Sequence, residues 1–160
     1  MRHLIIKLFG LWALWLCVPQ VHAQPVVSEI SVEPPAVQES SPITVIVNPR
    51  SELGQLSRKQ IVDIYMGRIT VLPNNSIPLP IDYQGSPEMR AQFYQALTGK
   101  SLAQINAYWA RLSFTGQANP PRKLANKAAM SQVVEKNRNA LGYVDAHSVG
   151  SAVVPLMVIK

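Results

Sequence analysis

The stretch ITVIVNPRSELGQLSRKQIVDIYMG, residues 43–67, decides the fold. It opens with Ile43, Thr44, Val45, Ile46 and Val47, a run of β-branched side chains ended by Asn48 and Pro49. A run with no polar side to turn to water suits a strand buried on both faces, as in a parallel sheet covered by helices. Ser57 and Gln60 then stand at capping-box spacing, which satisfies backbone donors that a helix start leaves orphaned. Leu56, just before the cap, is placed to pack on Ile61. Ile61, Ile64 and Tyr65 share one helical face, and Gly67 supplies the left-handed stop.

Downstream the same alternation continues. Ile69 to Val71 is read as a short strand and Pro73, Asn74 and Asn75 as a turn. Ile77 to Tyr83 is apolar enough for a strand, although Pro78 and Pro80 confine it to an edge or to its first residues. Gly85, Ser86, Pro87 and Glu88 announce a helix: a Ser cap, a Pro at the first helical position and an acid in the first turn. Its apolar face is Met89, Phe93, Ala96 and Leu97, and Thr98 with Gly99 ends it. A second capping box, Ser101 and Gln104, starts a helix with Leu102, Ile105, Trp109 and Leu112 along one side, where Trp109 is read as packing. A fourth helix is expected from Leu124 to Asn137, and strands at Leu141 to Val144 and Val153 to Ile159, the last at an edge because of Pro155. The order argues an α/β domain over residues 43–160, a small mixed sheet flanked by helices.

Upstream, Met1, Arg2, His3 and Lys7 form a basic head before an apolar run of 11 residues, Leu8 to Val18, with Val21, His22 and Ala23 at a cleavage-type site. That is the pattern of a secretory signal peptide over residues 1–23, too short for the roughly 20 apolar residues of a spanning helix. The expectation is a periplasmic or secreted protein cut after Ala23. Residues 24–42, with four prolines among them, read as an extended linker with a short strand at Val26 to Ile30. Processing removes Cys17, His3 and His22, so neither thiol chemistry nor a histidine metal cluster is expected of the mature chain. Loss of Arg2 and Lys7 from 15 basic residues leaves 13 against 9 acidic ones, a formal +4. The excess favours anions or an acidic surface over nucleic acid, since the cations are scattered and few aromatics interleave with them.

Three segments together resemble a known family. Leu56 to Gly67 is similar to the helix L-[ST]-x-x-Q-[IL]-x-x-I-[FY]-x-G of substrate-binding proteins of phosphate ABC transporters. Gly85 and Ser86 with Arg90 and Phe93 resemble the G-S-G-T-R-x-x-F segment, and Ala140 to Val144 resembles the A-I-G-Y-V strand. The resemblance covers residues 43–160 and implies a type 2 periplasmic-binding-protein fold, here as a single lobe. It also implies a small-anion ligand such as phosphate and a membrane permease or envelope sensor as partner. The chain departs from the pattern at the site: Pro87, Glu88 and Met89 stand where the family has Ser-Gly-Thr, and Asp82 and Tyr83 lie where it has an upstream arginine. Phosphate at a helix start is held by free N–H groups and the helix dipole. Pro87 removes a donor and Glu88 adds a like charge, which degrades the site for phosphate.

The candidate ligand contacts are therefore Ser86, Arg90, Tyr83, Thr115 and Gly116. No catalytic residue, metal site or cofactor is expected: His147 stands alone, and Asp63, Asp82 and Asp145 are dispersed. Arg122, Lys123 and Lys127 form a small basic cluster. The reading is an exported solute-binding-like protein with no enzymatic activity. The alternative is a non-transport interaction or sensory module of the cell envelope.

Overall fold

The computed structural model describes residues 41–160. The expected signal peptide (1–23) and nearly all of the expected linker (24–42) lie outside the described residues. The elements run β1 (Ile43–Val47), α1 (Arg58–Tyr65), β2 (Leu79–Tyr83), α2 (Pro87–Thr98), α3 (Leu102–Phe114), β3 (Arg122–Leu124), α4 (Lys127–Lys136), β4 (Ala140–Asp145), a 3₁₀ turn (Ala146–Ser148) and β5 (Val154–Ile159). They build one five-stranded sheet of order β3-β2-β4-β1-β5. The sheet is mixed. β2 is parallel to β3 and β4, whereas β1 is antiparallel to both β4 and β5.

β1 is buried along its whole length, as its β-branched run requires, but its direction corrects the parallel arrangement inferred from that burial. Burial on both faces tells a strand's depth and leaves its direction open. Helices cover both sides of the sheet, and β4 shows how. Side chains alternate along a strand. The Tyr143 ring stacks on Phe93 of α2 and meets Tyr65 of α1 edge-on, while the adjacent Gly142 lies against α4. A Cβ on Gly142 would stand 2.7 Å from Met130 Sδ and 2.9 Å from Val134 Cγ2, so α4 packs on bare backbone there. Gly67, at φ +67°, ends α1 and receives the Trp109 ring, which a Cβ would meet at 2.7 Å.

Both capping boxes form, at Ser57 with Gln60 and at Ser101 with Gln104. β5 is an edge strand, as Pro155 required. β2 is interior, yet Pro80 is its second residue and Pro78 precedes it, so the prolines sit where they forfeit little of the ladder. Two expectations are corrected. Ile69 to Val71 form no strand. The fourth helix starts at Lys127 rather than Leu124, because Arg122, Lys123 and Leu124 pair with Ile81, Asp82 and Tyr83 and Asn126 caps the helix.

Candidate functional site

β2, β3 and β4 point their carboxyl ends the same way, and in open α/β sheets ligands bind outside such ends. β2 delivers the loop Gln84, Gly85 and Ser86 there, tied to the neighbouring strand's exit by the Gln84 N–H donating to the Leu124 carbonyl at 2.8 Å. Ser86 occupies the N-cap of α2, but its hydroxyl makes no capping hydrogen bond. Pro87 presets the helix instead, which leaves the hydroxyl uncommitted.

Beneath this loop Asp82 is the hub of a buried polar network. One carboxylate oxygen accepts from the Tyr143 hydroxyl (2.5 Å) and the Tyr83 N–H (2.7 Å), the other from Arg90 Nε (2.9 Å) and the Tyr94 hydroxyl (3.2 Å). The side chains of Asp82 and Arg90 are only 2% and 10% exposed. A carboxylate this deep is tolerated because four donors satisfy it, one of them the Arg90 cation. Desolvation raises the Tyr94 and Tyr143 hydroxyls well above their ordinary pKa, and the nearby Asp82 charge adds to it. Burial likewise pushes Tyr83 up to about 12. All three phenols stay protonated and donating.

Arg90 thus points inward. Nε is spent on Asp82, and one terminal nitrogen reaches the Asn106 carbonyl oxygen at a long 3.4 Å. The guanidinium borders a cleft of about 370 Å³ between β2, α3 and the loop before β3. Asn106, Trp109, Ser113, Pro120, Pro121 and Lys123 make up most of its wall.

At the carboxyl end of β4, the central strand, lies a second charged group. Lys127 Nζ pairs with Asp145 and donates to Ser148 Oγ at 2.6 Å, which in turn donates to Asp145 at 2.6 Å. Partial burial alone would raise the Asp145 pKa, but bonds from Lys127 and Ser148 hold it below the usual carboxylate range. The opposite end of the sheet has its own basic cleft at Arg50, Lys136 and Arg138, where the Asn48 side chain caps the last carbonyls of α4.

Compared with solved structures, the chain is similar to an ABC-type phosphate transport receptor from Vibrio cholerae, at TM-score 0.56 and 18% identity over 72% of this chain. It is equally similar to a protein from Clostridium perfringens described as a phosphate ABC transporter substrate-binding protein and solved with bound phosphate, also at TM-score 0.56, 18% identity and 72% coverage. This chain has the fold of a phosphate-receptor lobe. It spans less than half of those proteins, 45% and 44% of their lengths. No protein-family model and no curated protein matches the sequence.

The lobe distributes the candidate contacts unevenly. Ser86 and Arg90 stand one turn apart on α2, with the Arg90 N–H donating to the Ser86 carbonyl. Tyr83 is buried, and its hydroxyl donates to the Tyr143 carbonyl at 3.0 Å. Thr115 and Gly116 finish α3: the Thr115 hydroxyl donates to the Arg111 carbonyl, and Gly116 takes φ +68°. Sequence reasoning passed over Asn106, and it grouped Lys123 only with Arg122 and Lys127 as a small basic cluster. What marks both is their position beside Arg90, which only the folded lobe supplies.

Proposed function

We propose that the chain is an exported solute-binding lobe that takes a small anion at the carboxyl ends of its parallel strands and performs no chemistry on it. The observation that supports this most is Arg90. Its guanidinium is fixed by Asp82 through Nε, and its terminal nitrogens make no hydrogen bond among the described residues other than the long one to Asn106. A cation held rigid from behind and left with free donors in front is preorganised for a ligand acceptor. The uncommitted Ser86 hydroxyl offers a further donor at the start of the same helix. In this reading Tyr83, Thr115 and Gly116 support the elements around the site. Phosphate enters because a structural neighbour was solved with it, and a permease or envelope sensor is the expected recipient.

Titration calorimetry with phosphate, sulfate and small carboxylates tests the proposal. One of these anions should bind in the micromolar range and weaken about tenfold in Ser86→Ala or Arg90→Lys, as loss of one charge-assisted hydrogen bond implies. Lysine keeps a cation over Asp82, so this variant is chosen to fold. Silence with every anion would overturn the reading. Phe114, at the end of α3, is 93% exposed and favours the second reading, a module that docks on an envelope protein. That reading requires a defined partner whose binding is lost in Phe114→Ser.

A further inference from the structure

The walls of the cleft beside Arg90 divide by chemistry. Donors line one part: the terminal nitrogens of Arg90, the Asn106 amide and the Lys123 ammonium. Trp109, Pro120 and Pro121 make an apolar part, with Pro121 buried. Lys123 has no ion-pair partner among the described residues. The cleft's formal charge is therefore +1, two cations against Asp82. Trp109 is only 6% exposed, so its ring is a fixed part of that wall.

From this division we infer that the ligand is a small organic monocarboxylate with a flat apolar body, carboxylate toward Arg90, Asn106 and Lys123 and body against Trp109 and the two prolines. The inference rests on the solute-binding reading and names its ligand class. Three features separate this ligand from phosphate. A net charge of +1 matches a monoanion better than a dianion. An apolar wall gains nothing from a compact hydrated oxyanion but is covered by a hydrocarbon ring. At the start of α2, Pro87 withholds an N–H and Glu88 repels a second negative charge. The carboxylate can take two parallel N–H bonds from a guanidinium, a match that arginine provides and lysine does not.

The probes are benzoate, acetate, cyclohexanol and phosphate, titrated into the purified full chain by calorimetry. The ¹⁵N indole signal of Trp109 is followed in parallel, assigned by its absence in Trp109→Phe. Benzoate should bind at least tenfold more tightly than acetate and than phosphate, and should move the Trp109 indole signal. Lys123→Ala and Asn106→Ala, both at exposed positions, should each weaken benzoate about three- to tenfold. Cyclohexanol, apolar but uncharged, should not bind. Phosphate binding tighter than benzoate, lost in Ser86→Ala and indifferent to Lys123→Ala, would overturn the inference and leave the anion-binding lobe standing. Silence with all four probes would overturn both.

Discussion

Two aspartates end in ion pairs near the carboxyl ends of neighbouring parallel strands, Asp82 on β2 and Asp145 on β4. Their surroundings differ sharply. The Asp82 and Arg90 side chains are 2% and 10% exposed, against 20% and 46% for Asp145 and Lys127. Asp82 also gathers two tyrosine hydroxyls and a backbone N–H, whereas Asp145 adds one serine. The same pair of charges therefore does different work. In the interior, desolvation makes either charge costly alone, so each side chain fixes the other and the elements that carry them. At the surface, water screens both, and the pair steers a local turn without deciding the fold. The buried pair is also the one beside the proposed ligand cleft, which couples the lobe's stability to the orientation of Arg90.

Removing one partner of the buried pair should give the largest effect. Arg90→Ala strands the Asp82 carboxylate among Tyr83, Tyr94 and Tyr143, and unfolding in urea should show a loss of about 3–5 kcal/mol. Asp82→Asn keeps one acceptor oxygen, sets an NH2 donor against the donors on the other side and leaves the Arg90 charge unpaired, so it should also lose stability. A change under 1 kcal/mol in both variants would mean that water reaches the network and that the contrast with Asp145 is false.

The two pairs also differ in how much of them sequence could announce. Local chemistry was legible. Ser57 with Gln60 and Ser101 with Gln104 lie three residues apart, and the motif needs no other part of the chain. The β-branched run of β1 declared its burial in the same way. Arg122 and Lys123 announced nothing, because two exposed cations in a three-residue strand become a strand only by pairing with β2. Asp82 was equally silent as a hub, since its partners Arg90, Tyr94 and Tyr143 lie 8, 12 and 61 residues away. The Ser86 motif marked a helix start correctly, yet the free hydroxyl depends on side-chain geometry that no motif encodes.

A middle-sized effect probes what joins the two pairs. β4 carries Tyr143 toward the Asp82 network on one face and bare Gly142 toward α4 on the other, and α4 in turn bears Lys127. Gly142→Ala sets a methyl 2.7 Å from Met130 Sδ and 2.9 Å from Val134 Cγ2; the Met130 chain can swing aside, but the stiff β-branched Val134 passes the pressure to α4. Overpacking of this kind costs about 1–3 kcal/mol. Amide exchange should accelerate along α4 while the interior amides of β2 keep their protection. Equal loosening of both would show that the buried network depends on α4 after all.

The smallest effect sharpens the contrast from the exposed side. Asp145→Asn should cost less than about 1 kcal/mol at neutral pH, and less again in high salt, because both charges face water. Its pH dependence carries more information than its size. Asp145 has a folded-state pKa below the usual carboxylate range, so its contribution is complete above the unfolded-state value and fades as pH falls through the lowered one. The gap in stability between the native protein and Asp145→Asn should therefore be open at pH 7 and close toward pH 2. Asp63 behaves alike, held low chiefly by its hydrogen bond from Lys59 despite an opposing desolvation, with Arg68 adding to it, but it is present in both proteins and cancels in the difference. A gap that persists unchanged to pH 2 would show that Asp145 acts through the shape of the turn with Ser148 and not through its charge.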